Sequence, residues 1–99
     1  MEMKDILVKL GYVRNQANFS ARELSFRIGM SSQYVAKLEN GSIVLTVEKL
    51  LDILRECNFP LDKFFYAKPE EYDTDMELLA IFKAMPQEKK EAMLKFLQS

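Results

Sequence analysis

Apolar residues in the first half of the chain recur at intervals of three or four positions, the spacing of one helix face. A first stripe consists of Ile6, Leu10, Val13 and Ala17. A second consists of Leu24 and Ile28, and a third, much shorter, of Val35 and Leu38. Only three glycines and three prolines interrupt the chain, which favours helices over short strands joined by tight turns. The pattern therefore predicts an all-α protein.

Capping residues predict where the second and third helices begin and end. Ser20 followed by Glu23 fits a capping box, in which the serine accepts a backbone N–H and the glutamate reaches back. Gly29 suits the left-handed residue that follows a helix C-terminus, and Ser31 suits an N-cap. We therefore predict a short third helix within residues 31–40.

The helical pattern continues after the third helix. A fourth helix is predicted over residues 47–57 with Thr46 as its N-cap, and a short fifth over 61–65. In the fourth helix, we expect the apolar residues to face inward: Val47, Leu50, Leu51 and Leu54.

A polar and acidic segment, residues 67–75, separates these five helices from two more and is predicted to be a linker. The sixth helix is expected to begin at Thr74, and the seventh after Pro86. The predicted organisation is a helical domain over residues 1–66, the linker, and a helical hairpin over residues 76–99.

The hairpin carries more apolar residues than one helix face can hold. Its first helix contains Met76, Leu78, Leu79, Ala80, Ile81, Phe82, Ala84 and Met85. A hairpin this short cannot bury them alone, so it either folds back on the first five helices or pairs with a second copy. Our hypothesis is that it supports a homodimer.

Composition removes several functional classes. The chain has no histidine, the commonest general base and metal ligand, and its single cysteine, Cys57, excludes an internal disulfide. The acids Asp73, Asp75 and Glu77 partly imitate a calcium loop but lack its glycine and its distal glutamate. We expect no enzyme activity, no cofactor and no metal. No stretch approaches the roughly 20 apolar residues that cross a bilayer, and no signal-peptide pattern opens the chain, so we expect a cytoplasmic protein with no membrane partner.

The second and third helices, joined by a short turn that contains a glycine, form a helix-turn-helix arrangement. The outer face of the third helix would then enter a DNA major groove. The amide of Gln33 suits a bidentate pair with adenine, Lys37 suits guanine acceptors or a phosphate, and Ala36 permits close approach. Residues 14–41 contain four cations and two anions, the charge sign of a nucleic-acid binder, although the whole chain is at -1. The alternative is a solvated surface helix.

Two segments resemble the phage-repressor/Cro-like (Xre) family of helix-turn-helix domains. They are SARELSFRIGMSSQYVAKLENG, residues 20–41, and VEKLLDILRECNFPLDKFF, residues 47–65. The resemblance covers about residues 6–66. It implies a five-helix lambda-repressor-like helix-turn-helix domain, here followed by the C-terminal helical hairpin. It also implies a sequence-specific transcriptional regulator that binds double-stranded DNA as a dimer.

The resemblance further implies roles for single residues. The base-reading residues would be Ser32, Gln33 and Lys37, and the phosphate contacts Ser31, Tyr34 and Asn40. Arg22 is a further phosphate-contact candidate, although an exposed arginine also serves simply to solvate a helix. For Tyr34, packing at the edge of the core is an equal alternative. Arg14 and Glu39 would form the family's internal ion pair, since a glutamate that faces the interior requires a partner.

The loop after Gly41 favours a second interpretation. It contains Ile43, Val44 and Leu45, where the family usually has polar or basic residues. An exposed apolar loop suits a protein partner better than DNA. The alternative function is therefore a protein-interaction or antitoxin-type module that keeps the fold, binds DNA weakly, and uses this loop or the C-terminal helices.

Overall fold

The computed structural model describes residues 2–99, and all regular structure in that range is α-helical. The helices are α1 (Met3–Gln16), α2 (Ala21–Arg27), α3 (Tyr34–Glu39), α4 (Val47–Glu56), α5 (Leu61–Phe64), α6 (Pro69–Ala84) and α7 (Gln87–Gln98). The prediction of an all-α protein is confirmed. The chain divides into two compact units, Met1–Phe65 and Tyr66–Ser99.

The first unit has a hydrophobic core to which each of its five helices contributes. Its buried residues are Leu10, Val13, Leu24, Val35, Leu38, Leu50, Ile53, Leu54 and Phe64. Full burial of a side chain of this kind contributes roughly 1.5–3 kcal/mol. This core is what holds α2 and α3, which are too short to be stable alone.

The predicted N-cap of α4 is confirmed, but its predicted inner face is partly wrong. The Thr46 side chain accepts the Lys49 N–H at 3.2 Å. Val47 is 74% exposed and Leu51 is also exposed, whereas Ile53 is buried. At 100° per residue, Leu50, Ile53 and Leu54 share one stripe, and positions 47 and 51 fall to one side of it.

Four helices of the first unit end in the same way. The residue after each C-cap has a positive φ: Asn18 (61°), Gly29 (75°), Gly41 (80°) and Asn58 (53°). After α2, the Gly29 N–H donates to Phe26 at 3.0 Å and the Met30 N–H to Ser25 at 2.9 Å. These are the two bonds of a Schellman motif, which satisfies the last carbonyls of the helix. The predicted role of Gly29 is confirmed.

The third helix is shorter than predicted, because it begins at Tyr34 rather than near residue 31. Its N-cap is Gln33, and the Tyr34 N–H donates to the Ser31 carbonyl at 3.0 Å in a tight turn. Serine favours turns and caps over helix interiors, since its hydroxyl competes for backbone groups. Ser31, Ser32 and Gln33 therefore lie in the turn that leads into α3.

In the second unit, the predicted linker, residues 67–75, is helical from Pro69 onward. Proline at the first helical position is pre-organised for a helix, and the acids Glu70 and Glu71 suit the helix N-terminus. These effects outweigh the Thr74 cap that the sequence suggested. The Tyr66 and Tyr72 rings also meet edge to face, with centroids 5.2 Å apart.

The second unit has no buried residue among 66–99. Its large exposed apolar side chains are Leu78, Leu79, Ile81, Phe82, Leu94, Phe96 and Leu97. An apolar hollow of about 310 Å³ opens between α6 and α7, lined by Phe82, Lys90, Met93, Leu94 and Leu97. Within residues 2–99, no helix combines the length and apolar character that a membrane span requires.

Candidate nucleic-acid interface

The buried side of α3 determines which residues it presents outward. Val35 and Leu38 are in the core. The exposed residues of α3 and its flanks are Gln33, Ala36, Lys37 and Asn40. The face expected to contact DNA is therefore open in the first unit.

A buried hydroxyl joins α2 to α3. Ser25 is fully buried, and its Oγ donates to the Ala21 carbonyl at 2.7 Å and accepts the Val35 N–H at 3.0 Å. The first N–H groups of a helix have no partner within that helix, and Ser25 supplies one to α3. Sequence reasoning missed this residue. The available signal was a serine directly beside Leu24, on the inner side of α2.

Arg14 and Glu39 form a two-pronged ion pair between the end of α1 and the end of α3. Arg14 Nε lies 2.8 Å from Glu39 Oε2, and Nη2 lies 3.1 Å from Oε1. The side chains are only 17% and 20% exposed. The hydrogen bonds that Arg14 donates to the Glu39 carboxylate raise the pKa of Arg14 above its ordinary value, against the opposing effect of burial. Arg14 also donates to the Phe19 carbonyl at 3.0 Å, so it fixes the loop before α2 as well.

Gly11 leaves room for this ion pair. A Cβ at position 11 would lie 3.3 Å from Glu39 Oε1, tighter than a normal contact. Glycine in a helix interior costs about 1 kcal/mol relative to alanine. The close approach of the Glu39 carboxylate is a physical reason for accepting that cost.

Three of the four residues expected to contact phosphate are exposed: Arg22, Ser31 and Asn40. Asn40 Oδ1 accepts the Ser42 N–H at 2.9 Å, which leaves the amide NH₂ group as the donor. Arg22 lies over the Phe26 ring, 5.5 Å from its centroid. Tyr34 is half-buried and packs against the core.

The cations of residues 14–41 divide into two groups. Arg14 is paired with Glu39. Arg27 lies 3.2 Å from Glu56 and stacks on Phe19, 4.3 Å from the ring centroid. Arg22 and Lys37 have no carboxylate partner within residues 2–99 and are the cations left for a polyanion.

The residues that the structure describes include no group of acidic, cysteine or histidine side chains that could hold a metal ion. Cys57 is half-buried at the end of α4. Burial, followed by the nearby Glu56 carboxylate, raises the pKa of its thiol to about 11. At neutral pH, Cys57 is therefore a protonated, weakly reactive thiol.

The arrangement of α2, the turn and α3 places this fold in the helix-turn-helix class. A family model for helix-turn-helix domains matches residues 10–64, more than half of the chain. The chain belongs to this family, in its Xre, lambda-repressor-like form, whose members are DNA-binding regulatory domains. Comparison with curated proteins and with solved structures found no significant match.

Proposed function

We propose that the protein is a sequence-specific transcription regulator that reads the DNA major groove with α3 and the turn before it. The observation that carries this proposal is the exposure of Gln33 and Lys37 on a helix fixed by Val35 and Leu38. A major groove is about 12 Å wide and admits one helix, with the residues near its N-terminus closest to the base edges. Gln33 lies at that end of α3.

The flanking residues fit contacts to the DNA backbone and to further bases. Ser32, half-buried beside Gln33, would contact a base edge through its hydroxyl. Ser31 and the NH₂ group of Asn40 lie at the two ends of α3, where phosphates border the groove. Arg22 would contact a phosphate from α2, and the Tyr34 hydroxyl would do so from the edge of the core.

The electrostatic part of this binding is expected to be small. Arg22 and Lys37 are the two unpaired cations of this surface in each protomer. On a plot of log affinity against log salt concentration, each neutralised phosphate contributes a slope of about -0.9. A dimer with these cations should therefore show a slope of roughly -3 to -4. A much steeper slope would mean that other lysines contact DNA.

A homodimer is the second part of the proposal. The hairpin leaves its leucines and phenylalanines uncovered, and its helices differ in charge: α6 has five acids and one lysine, α7 three lysines and two glutamates. Two hairpins packed side by side would cover apolar surface and place α6 of one copy against α7 of the other. A two-fold dimer would space its α3 helices about 34 Å apart, one turn of DNA. Sedimentation equilibrium that shows a monomer at tens of micromolar would contradict this part.

The DNA-reading part is tested by selecting bound sequences from a random duplex pool and measuring affinity for the winner. The variant Gln33→Ala, Lys37→Ala should lose about 1–3 kcal/mol for each base contact and keep its helical content. The matched control, Lys4→Ala, Gln16→Ala, removes the same residue types from exposed positions of α1, outside α2, α3 and the hairpin. Unchanged affinity for the selected duplex in the first variant would refute DNA reading by α3.

A protein-interaction or antitoxin-type module is the second candidate. The supporting observation is an apolar hollow of about 300 Å³ lined by Met3, Leu7 and the loop 41–45, with Val44 82% exposed. Exposed apolar patches mark protein contacts. The variant Val44→Ser distinguishes the two functions. It should leave DNA binding intact and weaken the binding of a protein partner.

A further inference from the structure

Ser25 is unusual in the first unit. All the other buried residues in the described part of the chain are apolar, whereas Ser25 is polar. Burying a hydroxyl is costly unless it is hydrogen-bonded, and both hydrogen bonds of Ser25 have normal lengths and go to backbone groups. The Oγ proton is used on the Ala21 carbonyl, one turn earlier in α2. A lone pair is therefore directed at the Val35 N–H of α3.

This bond is directional, whereas the other contacts between the two helices are not. Within residues 2–99, the bond from Val35 to Ser25 is the hydrogen bond that joins α2 to α3. Leu24, Val35 and Leu38 also pack together in the core; the driving force of that burial is non-directional, so the hydrogen bond adds a constraint of defined direction.

The helix that depends on this bond is only six residues long, and its N-cap side chain makes no capping hydrogen bond. Gln33 lies two residues before Val35, and Lys37 two residues after it. A shift of the Val35 backbone would move both side chains relative to α2.

We infer that Ser25 is a positioning residue for DNA reading: its hydroxyl fixes α3 against α2 and so aims Gln33 and Lys37. This inference rests on the proposed function and adds a determinant that itself touches no DNA. Base pairs tolerate little misplacement of a bidentate partner, so loss of the bond is expected to lower specificity more than general DNA affinity.

The test compares Ser25→Ala with Ser20→Ala. Ser20 is the matched control, because its hydroxyl also accepts a backbone N–H, that of Glu23 at 3.0 Å, but it is exposed and acts within α2 alone. The ratio of affinities for selected and random duplexes should fall roughly 5- to 100-fold in Ser25→Ala and stay unchanged in Ser20→Ala. The salt dependence should be the same in both, since no phosphate contact is removed. An unchanged ratio in folded Ser25→Ala would make Ser25 a stabilising residue only and overturn the inference.

A second measurement needs no DNA and keeps the two proposals distinguishable. Amide hydrogen exchange at Val35 should accelerate in Ser25→Ala, and residual dipolar couplings should show α3 reoriented relative to α2. If the wild-type protein selects no duplex but α3 still reorients, the proposed function fails and the role of Ser25 in placing α3 stands. If α3 keeps its orientation, the inference fails whatever the DNA result.

Ser25→Cys separates the hydrogen bond from packing and also serves if the alanine variant unfolds. A thiol has nearly the same shape but is a weak donor and acceptor. It should behave like Ser25→Ala in the specificity ratio and in Val35 exchange. Wild-type behaviour of Ser25→Cys would show that filled volume, not the hydroxyl bond, places α3.

Discussion

The two units of the chain use similar apolar residues in opposite ways. In Met1–Phe65, leucine, valine, isoleucine and phenylalanine side chains from five helices form one buried core. In Tyr66–Ser99, residues of the same types are exposed and none is buried. The first unit has the packing that a stable domain needs. The second exposes apolar side chains of the kind that often mark a protein contact.

The helix termini differ in the same direction. In the first unit, Ser20 and Thr46 accept backbone N–H groups, although the N-caps Gln33 and Pro60 do not, and Schellman motifs close the C-terminal ends of α1 to α4. In the second, the N-caps Lys68 and Pro86 make no side-chain capping bond. The starts of α6 and α7 depend instead on proline and on acidic residues in the first turn. The comparison indicates that the first unit specifies its own structure, whereas the hairpin leaves exposed the apolar surface that the proposed homodimer would cover.

The largest test of this comparison is one substitution type made in both units. Leu38→Ala removes a fully buried side chain of α3 and should cost about 2–5 kcal/mol, including the cavity it leaves. Leu97→Ala removes a side chain that is 66% exposed and should change the stability of the monomer by less than about 0.5 kcal/mol. Urea unfolding followed by circular dichroism, in dilute protein, measures both.

The same leucine pair sharpens the interpretation of the hairpin. Leu97→Ala should weaken self-association in sedimentation experiments, whereas Leu38→Ala should not do so under conditions where it remains folded. Equal destabilisation of the dilute protein by the two substitutions would show that the hairpin has a core of its own, against the comparison drawn above.

A medium effect is expected at the ion pairs, which also differ between the units. Glu39→Gln breaks the ion pair between Arg14 and Glu39, in which both side chains are mostly shielded from water. The expected loss of stability is about 1–3 kcal/mol. This lies above the value for exposed ion pairs, which is below about 1 kcal/mol, and below the value for fully buried pairs. In the second unit, Lys68 and Glu71 are 3.9 Å apart and largely exposed, so Glu71→Gln should cost less than about 1 kcal/mol.

A double-mutant cycle with Arg14→Met isolates the coupling from the effect of each single substitution. A coupling between positions 14 and 39 that is no larger than the coupling between positions 68 and 71 would remove the ion pair as a distinguishing feature of the first unit.

The periodicity and the caps were sufficient to predict most of the fold. Ser20, Gly29 and Thr46 act locally, through a bond or a φ angle that depends on few neighbours, so their roles could be predicted and are confirmed. The predicted return bond from Glu23 does not form, and the Glu23 carboxylate lies near Arg27 instead. The start of α6 was predicted too late because two local preferences competed, Pro69 and Thr74, and a single sequence does not show which prevails. The exposure of Val47 depends on which elements surround α4, which periodicity alone does not give.

The site could be predicted less completely than the fold. Gln33 and Lys37 follow from the face opposite Val35 and Leu38, and both are exposed as expected. Their roles in DNA binding stay predictions. Ser25 was missed because its partner, the Val35 N–H, is ten positions away and comes close only after α2 and α3 pack. A bond of this kind is a property of the tertiary structure.

The smallest expected effect concerns the thiol of Cys57. Burial, and then the Glu56 carboxylate, raise its pKa to about 11, while a free thiol has a value of about 8.5. Because the folded thiol keeps its proton to higher pH than the unfolded one, its contribution to stability is present below about pH 8.5 and is lost as the pH rises toward 11.

Alkylation of native Cys57 should therefore be slow at pH 8 and still accelerating at pH 10. The matched variant, Cys57→Ala with Ala92→Cys, places the thiol at an exposed position of the hairpin, where its rate should level off near pH 9. Rate–pH profiles that coincide would show that the first unit shields its cysteine no better than the hairpin does.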